Sequence, residues 1–128
     1  MLKFFIIALG GAIGSLARYV ISGLDYRVAA GIFPVGTLVV NVTGSFVIGF
    51  LWGLADRFSV PPNVRLFIFI GVLGGYTTFS TFSLETFNLI REGECRIAFM
   101  NVVLSAVLGV CAVFVGYMAS RALINVFK

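Results

Sequence analysis

The chain contains no histidine, only two cysteines, three prolines and five acidic residues among 128. Without histidine, the commonest zinc ligand and the usual general base near neutral pH are both missing. No nucleophile–base constellation stands in its place, so an enzyme has little support. Cys95 and Cys111 lie on one predicted helix, where sixteen positions at 1.5 Å each put them roughly 24 Å apart, beyond disulfide reach. That distance makes thiol chelation of a metal equally unpromising. No glycine-rich phosphate loop occurs, which leaves no sequence basis for nucleotide-driven energy coupling. Low-complexity tracts and polar appendages are also lacking.

Apolar residues make up 60% of the chain and aromatic ones 15%, with a mean hydropathy of +1.11 and only 11% charged residues. A soluble domain of this length has no use for so much apolar surface, whereas a lipid-embedded one does. An all-α membrane protein of one domain, 1–128, is expected. Four apolar stretches separate, at about 4–23, 33–55, 66–90 and 97–123. Polar punctuation stands between them, LDYRVAAG, DRFSVPPN and REGECR. Each is long enough to cross a hydrocarbon core of roughly 30 Å. The first, Phe4–Ala17 at its most apolar, is kept as mature structure and not as a leader, because more spans follow it.

The net charge is +4. The basic residues sit around span ends, where they anchor at headgroups, and form no nucleic-acid patch. One side would carry Lys3, Arg57, Arg65, Arg121 and Lys128, the other Arg18, Arg27, Arg91 and Arg96. So even a split does not choose a direction of insertion. Either the first helix dominates orientation, or the chain inserts both ways. The second reading allows an antiparallel homodimer, an inverted repeat built from two copies. Oligomerisation is expected on a second ground as well. Four helices struggle to enclose a polar path while keeping lipid-facing sides apolar.

Glycines recur at close-packing spacing, Gly10 and Gly14, Gly49 and Gly53, Gly71 and Gly75. Polar residues are spaced to share faces: Thr37, Asn41 and Ser45 in the second span, Thr77, Thr81 and Glu85 in the third, Asn101 and Ser105 in the fourth. Single hydroxyls in membranes commonly satisfy interhelical bonds worth about 0.6–2 kcal/mol. An asparagine, a glutamate and several hydroxyls on converging faces point instead to the lining of a wet path.

The segment GGYTTFSTFSLE, 74–85, lies within the third apolar stretch. Gly-Gly followed by Thr-Thr is poor helix material. The helix is therefore predicted to break from Gly74 to Thr78 and resume at Phe79, near the bilayer midplane. Carbonyls freed at that depth need protein, water or an ion. In an antiparallel dimer two such breaks can cross, forming an oxygen cage suited to a hard cation such as sodium. Phe79 and Phe82, at i and i+3, share a face among hydroxyls. Ring edges carry the positive part of the aromatic quadrupole and attract anions weakly.

These segments, with VNVTGSF at 40–46 and GGAIGSLARY at 10–19, resemble the signature segments of the CrcB/Fluc family of fluoride channels. The resemblance spans all four apolar stretches and implies a dual-topology antiparallel homodimer in a cell membrane, the inner membrane in a bacterium. It further implies passive fluoride export and a structural sodium ion at the dimer centre. By motif position, Phe79 and Phe82 would flank the fluoride path and Asn41 would line it as a donor. Ser80 and Thr81 would add polar lining, joined by Thr37 and Ser105, with Glu85 towards one end. The carbonyls of Gly74 and Thr77 would hold the sodium. Arg18 would sit in or near a vestibule, or serve as a snorkelling anchor. Two other readings stay open. One is a proton-coupled exporter of the small multidrug transporter type, which wants a membrane-embedded carboxylate. The other is a structural membrane subunit.

Overall fold

Apolar runs without interior proline favour unbroken helices, and proline, glycine and clustered polar residues set their ends. The computed structural model describes residues 1–23 and 31–126, and the regular structure among them is helical throughout. In chain order the elements are α1 (Leu2–Gly23), α2 (Val35–Ala55), α3 (Pro62–Arg65), α4 (Leu66–Val72), α5 (Leu73–Tyr76), α6 (Ser80–Arg91) and α7 (Cys95–Val126). The wider π-helical winding of α4 has no mark in its residues, LFIFIGV. The stretches Leu2–Gly23, Val35–Ala55, Pro62–Arg91 and Cys95–Val126 are long and apolar enough to cross a membrane.

These match the four expected spans with shifted ends. The second begins at Val35, after Pro34, and the third begins at Pro62, whose ring suits a first helical turn. The fourth runs longer, from Cys95 to Val126. The first connection, with Arg27, and the final Lys128 lie outside the described residues, so the basic-residue balance is described only in part. Between α6 and α7 the reversal is tight. Gly93 takes φ 84°, Glu94 N–H bonds Leu89 O at 2.8 Å and Gly93 N–H bonds Ile90 O at 3.0 Å. This paired closure needs a left-handed residue after the helix, which glycine adopts without steric cost.

The helices pack as two glycine seams. α1 lies along α4 and α5, and α2 lies along α7. At the first seam, a Cβ on Gly10 would stand 2.6 Å from Phe67 O, and one on Gly75 would stand 2.6 Å from Gly11 O. A Cβ on Gly14 would run into Val72 O. At the second seam, Gly49 faces Val113 O and Gly116 faces Phe46 O just as closely. Backbones approach to contact because no side chain intervenes, which is how helices associate when lipid removes the hydrophobic drive. The buried apolar side chains are few, Val40, Ala55, Leu73, Leu89 and Ala98, whereas rings such as Phe4 and Phe114 point outward. An apolar exterior of that extent suits hydrocarbon or another protein surface.

The seams predict a sharp contrast between neighbouring glycines. Gly14→Val should destabilise the protein by about 1–3 kcal/mol or more, through overpacking against backbone that cannot move aside. Gly11→Ala, whose added methyl meets nothing within 4 Å, should change stability by no more than about 0.5 kcal/mol. Thermal unfolding of the two variants in detergent provides the measurement.

Candidate functional site

The site is built around three non-helical residues, 77–79, between α5 and α6. Helical bonding runs on through Gly74 and Gly75 to Tyr76, and Thr77 is the extended residue, with φ −79° and ψ 157°. The expectation of non-helical backbone from Gly74, with resumption at Phe79, is therefore corrected at both ends. Gly75 is held against Gly11 in the seam, so packing overrides its weak helix propensity. Thr77 is instead the first residue to leave the helix, and its hydroxyl folds back onto Leu73 O at 2.9 Å.

In an unbroken helix the Thr78 N–H would bond Gly74 O, and the Thr81 N–H would bond Thr77 O. Here both donors go to side chains. Thr78 N–H donates to Asn41 Oδ1 at 2.8 Å, and Asn41 Nδ2 returns a bond to Thr78 O at 2.9 Å. The carboxamide thus pairs with the N–H and C=O of one residue, as a neighbouring strand would. Thr81 N–H donates to Thr78 Oγ1 at 3.3 Å, occupying a free donor in the first turn of α6. Around this pairing α2 is shaped to receive the turn. Gly44, one helical turn after Asn41, leaves the space filled by the Thr77 methyl and the Tyr76 ring. The hydroxyls of Thr43 and Tyr76 lie 2.8 Å apart. These contacts account for Asn41, Thr43 and Gly44 of the VNVTGSF motif.

Two cavities meet at Thr78. The larger, about 700 Å³, is walled by Thr37, Thr78, Thr81, Glu85 and Arg18, with Ser15, Tyr19 and Ser22 beside Arg18 on α1. Thr37 Oγ1 donates to Glu85 Oε1 at 2.7 Å, tying α2 to α6 across its wall. Arg18 is half-buried there, and its Nη1 reaches Thr77 O at 3.4 Å. The smaller cavity, about 400 Å³, is lined by Asn41, Gly44, Ser45, Gly74, Thr77 and Phe79, among others.

The structure thus gathers Thr37, Asn41, Thr81, Glu85, Arg18, Gly74, Thr77 and Phe79 around these two spaces. Phe82, half-buried, stands beside Phe79 with ring centroids 5.7 Å apart and planes tilted by 45°. Ser80 is exposed, and its hydroxyl lies 3.5 Å from that of Thr78. Ser105 lines neither cavity. Its Oγ is buried, with no hydrogen-bond partner among the described residues. Thr78, which both cavities share, was not singled out by residue pattern. Nor were Ser15, Tyr19 and Ser22, which line the larger cavity beside the expected Arg18, although their helical spacing is a signal within GSLARYVIS.

A family model described as CrcB-like protein, Camphor Resistance (CrcB), matches residues 5–117. The chain belongs to the CrcB family. Similar members are each named fluoride-specific ion channel FluC. That of Parabacteroides distasonis is 44% identical over 128 residues, covering 100% of both chains. That of Geobacter sp. (strain M21) is 50% identical over 118 residues, 91% of this chain and 95% of its own. The Pyrococcus abyssi protein is 46% identical over 119 residues, 91% and 94% of the two chains. With its four apolar stretches, this CrcB family member is a multi-pass membrane protein.

The pairing of Asn41 with Thr78 carries a testable consequence. Asn41→Leu leaves a peptide N–H and C=O without partners in half-buried surroundings, at about 1–3 kcal/mol for each. Unfolding in detergent should shift to lower temperature by several degrees at least. An Asn41→Leu protein as stable as the parent would deny the pairing its structural role.

Proposed function

We propose that this protein is a passive fluoride channel, a conductor of ions and not an enzyme. The observation that carries it is membership in a family whose similar members are named fluoride-specific channels across nearly the whole chain. The geometry supports the reading through residues able to handle a small anion. Thr37, Thr78 and Thr81 supply hydroxyls without full charge, and Phe79 and Phe82 supply ring edges. The Thr37 proton goes to Glu85 and the Thr78 proton to Thr81, which leaves the Thr81 hydroxyl as the donor to an anion. Weak, repeated donors let an anion enter and leave, whereas a fixed positive charge in the path would trap it. Arg18, in the wall of the larger cavity, raises the local anion concentration at its mouth. Ser105 offers a buried hydroxyl for the same path, and Ser80 a further one at its exposed edge.

The exit needs no fuel. Hydrogen fluoride is a weak, neutral acid that crosses lipid from acidic surroundings and ionises inside the cell. The anion is then driven out by a negative-inside potential, worth roughly 2.3 kcal/mol per charge per 100 mV.

The working unit in this reading is an antiparallel homodimer, with the residue 77–79 interruption near the bilayer midplane of each copy. Gly74 O and Thr77 O, deprived of their helical donors, form an oxygen-only set that fits a hard cation such as sodium. A charge of the same sign as the cation stands close by, since Arg18 reaches Thr77 O, but a carbonyl oxygen has a second lone pair to offer. When bound, the ion would neutralise converging carbonyl dipoles and tie two copies together.

One observation favours the exporter reading. Glu85 is a carboxylate within a span and in a cavity wall. Its bond from Thr37, however, gives it a positioning contact that needs no proton cycle.

Fluoride-electrode recording on proteoliposomes under a potassium-diffusion potential tests the function. The wild type should release fluoride, Phe82→Ile should cut the rate at least tenfold with the oligomer intact, and Glu85→Gln should retain measurable flux. A silent wild type removes the channel reading. Loss of all transport in Glu85→Gln turns the choice to the exporter. The cation site is tested separately: replacing sodium with N-methyl-D-glucamine should lower the unfolding temperature by several degrees, saturably reversed by sodium. An unfolding temperature indifferent to the cation removes the site.

A further inference from the structure

By spacing alone Asn101 and Ser105 share one face of α7 and would share one role. The structure separates them. Asn101 is 1% exposed and donates from Nδ2 to Thr86 Oγ1 at 3.0 Å. The Thr86 hydroxyl in turn donates to the carbonyl of Phe82 at 2.8 Å. Two consecutive bonds therefore run from the interior of α7, through α6, to the backbone of the residue that carries the second ring. Leu89, one turn beyond Thr86, and Ala98, one turn before Asn101, are both buried and reinforce the same contact face.

α6 has particular need of such a fixing point. A continuous helix inherits its rotation from the turn before it, but α6 is separated from α5 by residues 77–79. Packing of small apolar groups tolerates some rotation about the helix axis. A hydrogen bond between two buried polar atoms tolerates little, because it weakens steeply with angle and its loss strands both groups.

We propose that Asn101 is a positioning residue that, through Thr86, sets the rotation of α6 and thereby the placement of the Phe82 ring. Asn101 does not itself line the ion path. The consequence for flux rests on the fluoride-channel reading, whereas the clamp does not.

The experiment uses the full-length protein carrying Asn101→Leu, Thr86→Val, both together, or Thr86→Ser. Each is measured for fluoride efflux from proteoliposomes and for hydrogen–deuterium exchange of the 80–91 amides. Asn101→Leu and Thr86→Val should each lower efflux about tenfold, and the double variant should fall no lower than the worse single one. Thr86→Ser, which keeps the hydroxyl, should stay within twofold of wild type. Exchange should quicken at least severalfold in 80–91 and stay unchanged in α1. Efflux lost in Asn101→Leu but kept in Thr86→Val would make Asn101 a lining donor and overturn the proposal. Multiplying losses in the double variant would overturn it too, as would exchange that is unchanged in 80–91 or raised equally in every helix. If the wild type conducts no fluoride, the proposed function falls and the exchange pattern alone decides between these outcomes.

Discussion

A peptide group removed from a helix in apolar surroundings must find partners within the protein. At Thr78 the side chain of Asn41 supplies both of them. The release of two backbone carbonyls in the site follows from that exchange. Because the Thr78 N–H goes to α2, Gly74 O is released from helical bonding; because the Thr81 N–H goes to the Thr78 hydroxyl, Thr77 O is released as well. Two carbonyls thus lose their helical donors, Thr77 O gaining Arg18 Nη1 at 3.4 Å, while the two N–H groups keep partners. Beyond the interruption, Thr81 and Glu85 wall the same cavity as Thr37.

The glycine seams make this possible by holding everything else still. With α1 pressed on α4 and α5, and α2 pressed on α7, little side-chain volume remains between backbones to take up movement. The polar residues then keep their separations of about a hydrogen bond, although little of the molecule is a conventional apolar core. Rigidity here comes from close backbone contact more than from buried bulk.

The sequence showed these features unequally. Span number, the glycine pairs and the shared face of Thr37 and Asn41 follow from spacing, because lipid demands length and helices repeat every 3.6 residues. The place where helical bonding stops did not follow, because propensity was the wrong guide. Gly74 and Gly75 look like breakers, yet Gly75 is wanted for its lack of a side chain at a seam, and the departure falls at Thr77. The π-helical winding of α4 has no local mark in LFIFIGV. Asn101 and Ser105 look equivalent by register, and only the position of Thr86 on a separate helix tells them apart. Asn41 reads as polar lining, and besides lining the smaller cavity its amide is engaged with the backbone of a residue thirty-seven positions away. Long-range partners of that kind leave no periodic trace.

That separation bears on how the molecule comes together. Without Asn41 beside it, a non-helical 77–79 in the third apolar stretch would expose bare peptide groups to hydrocarbon. The cheapest form for entry is one continuous rod, which opens only as α2 docks and its carboxamide replaces the departing backbone bonds. Unwinding then depends on the meeting of two helices.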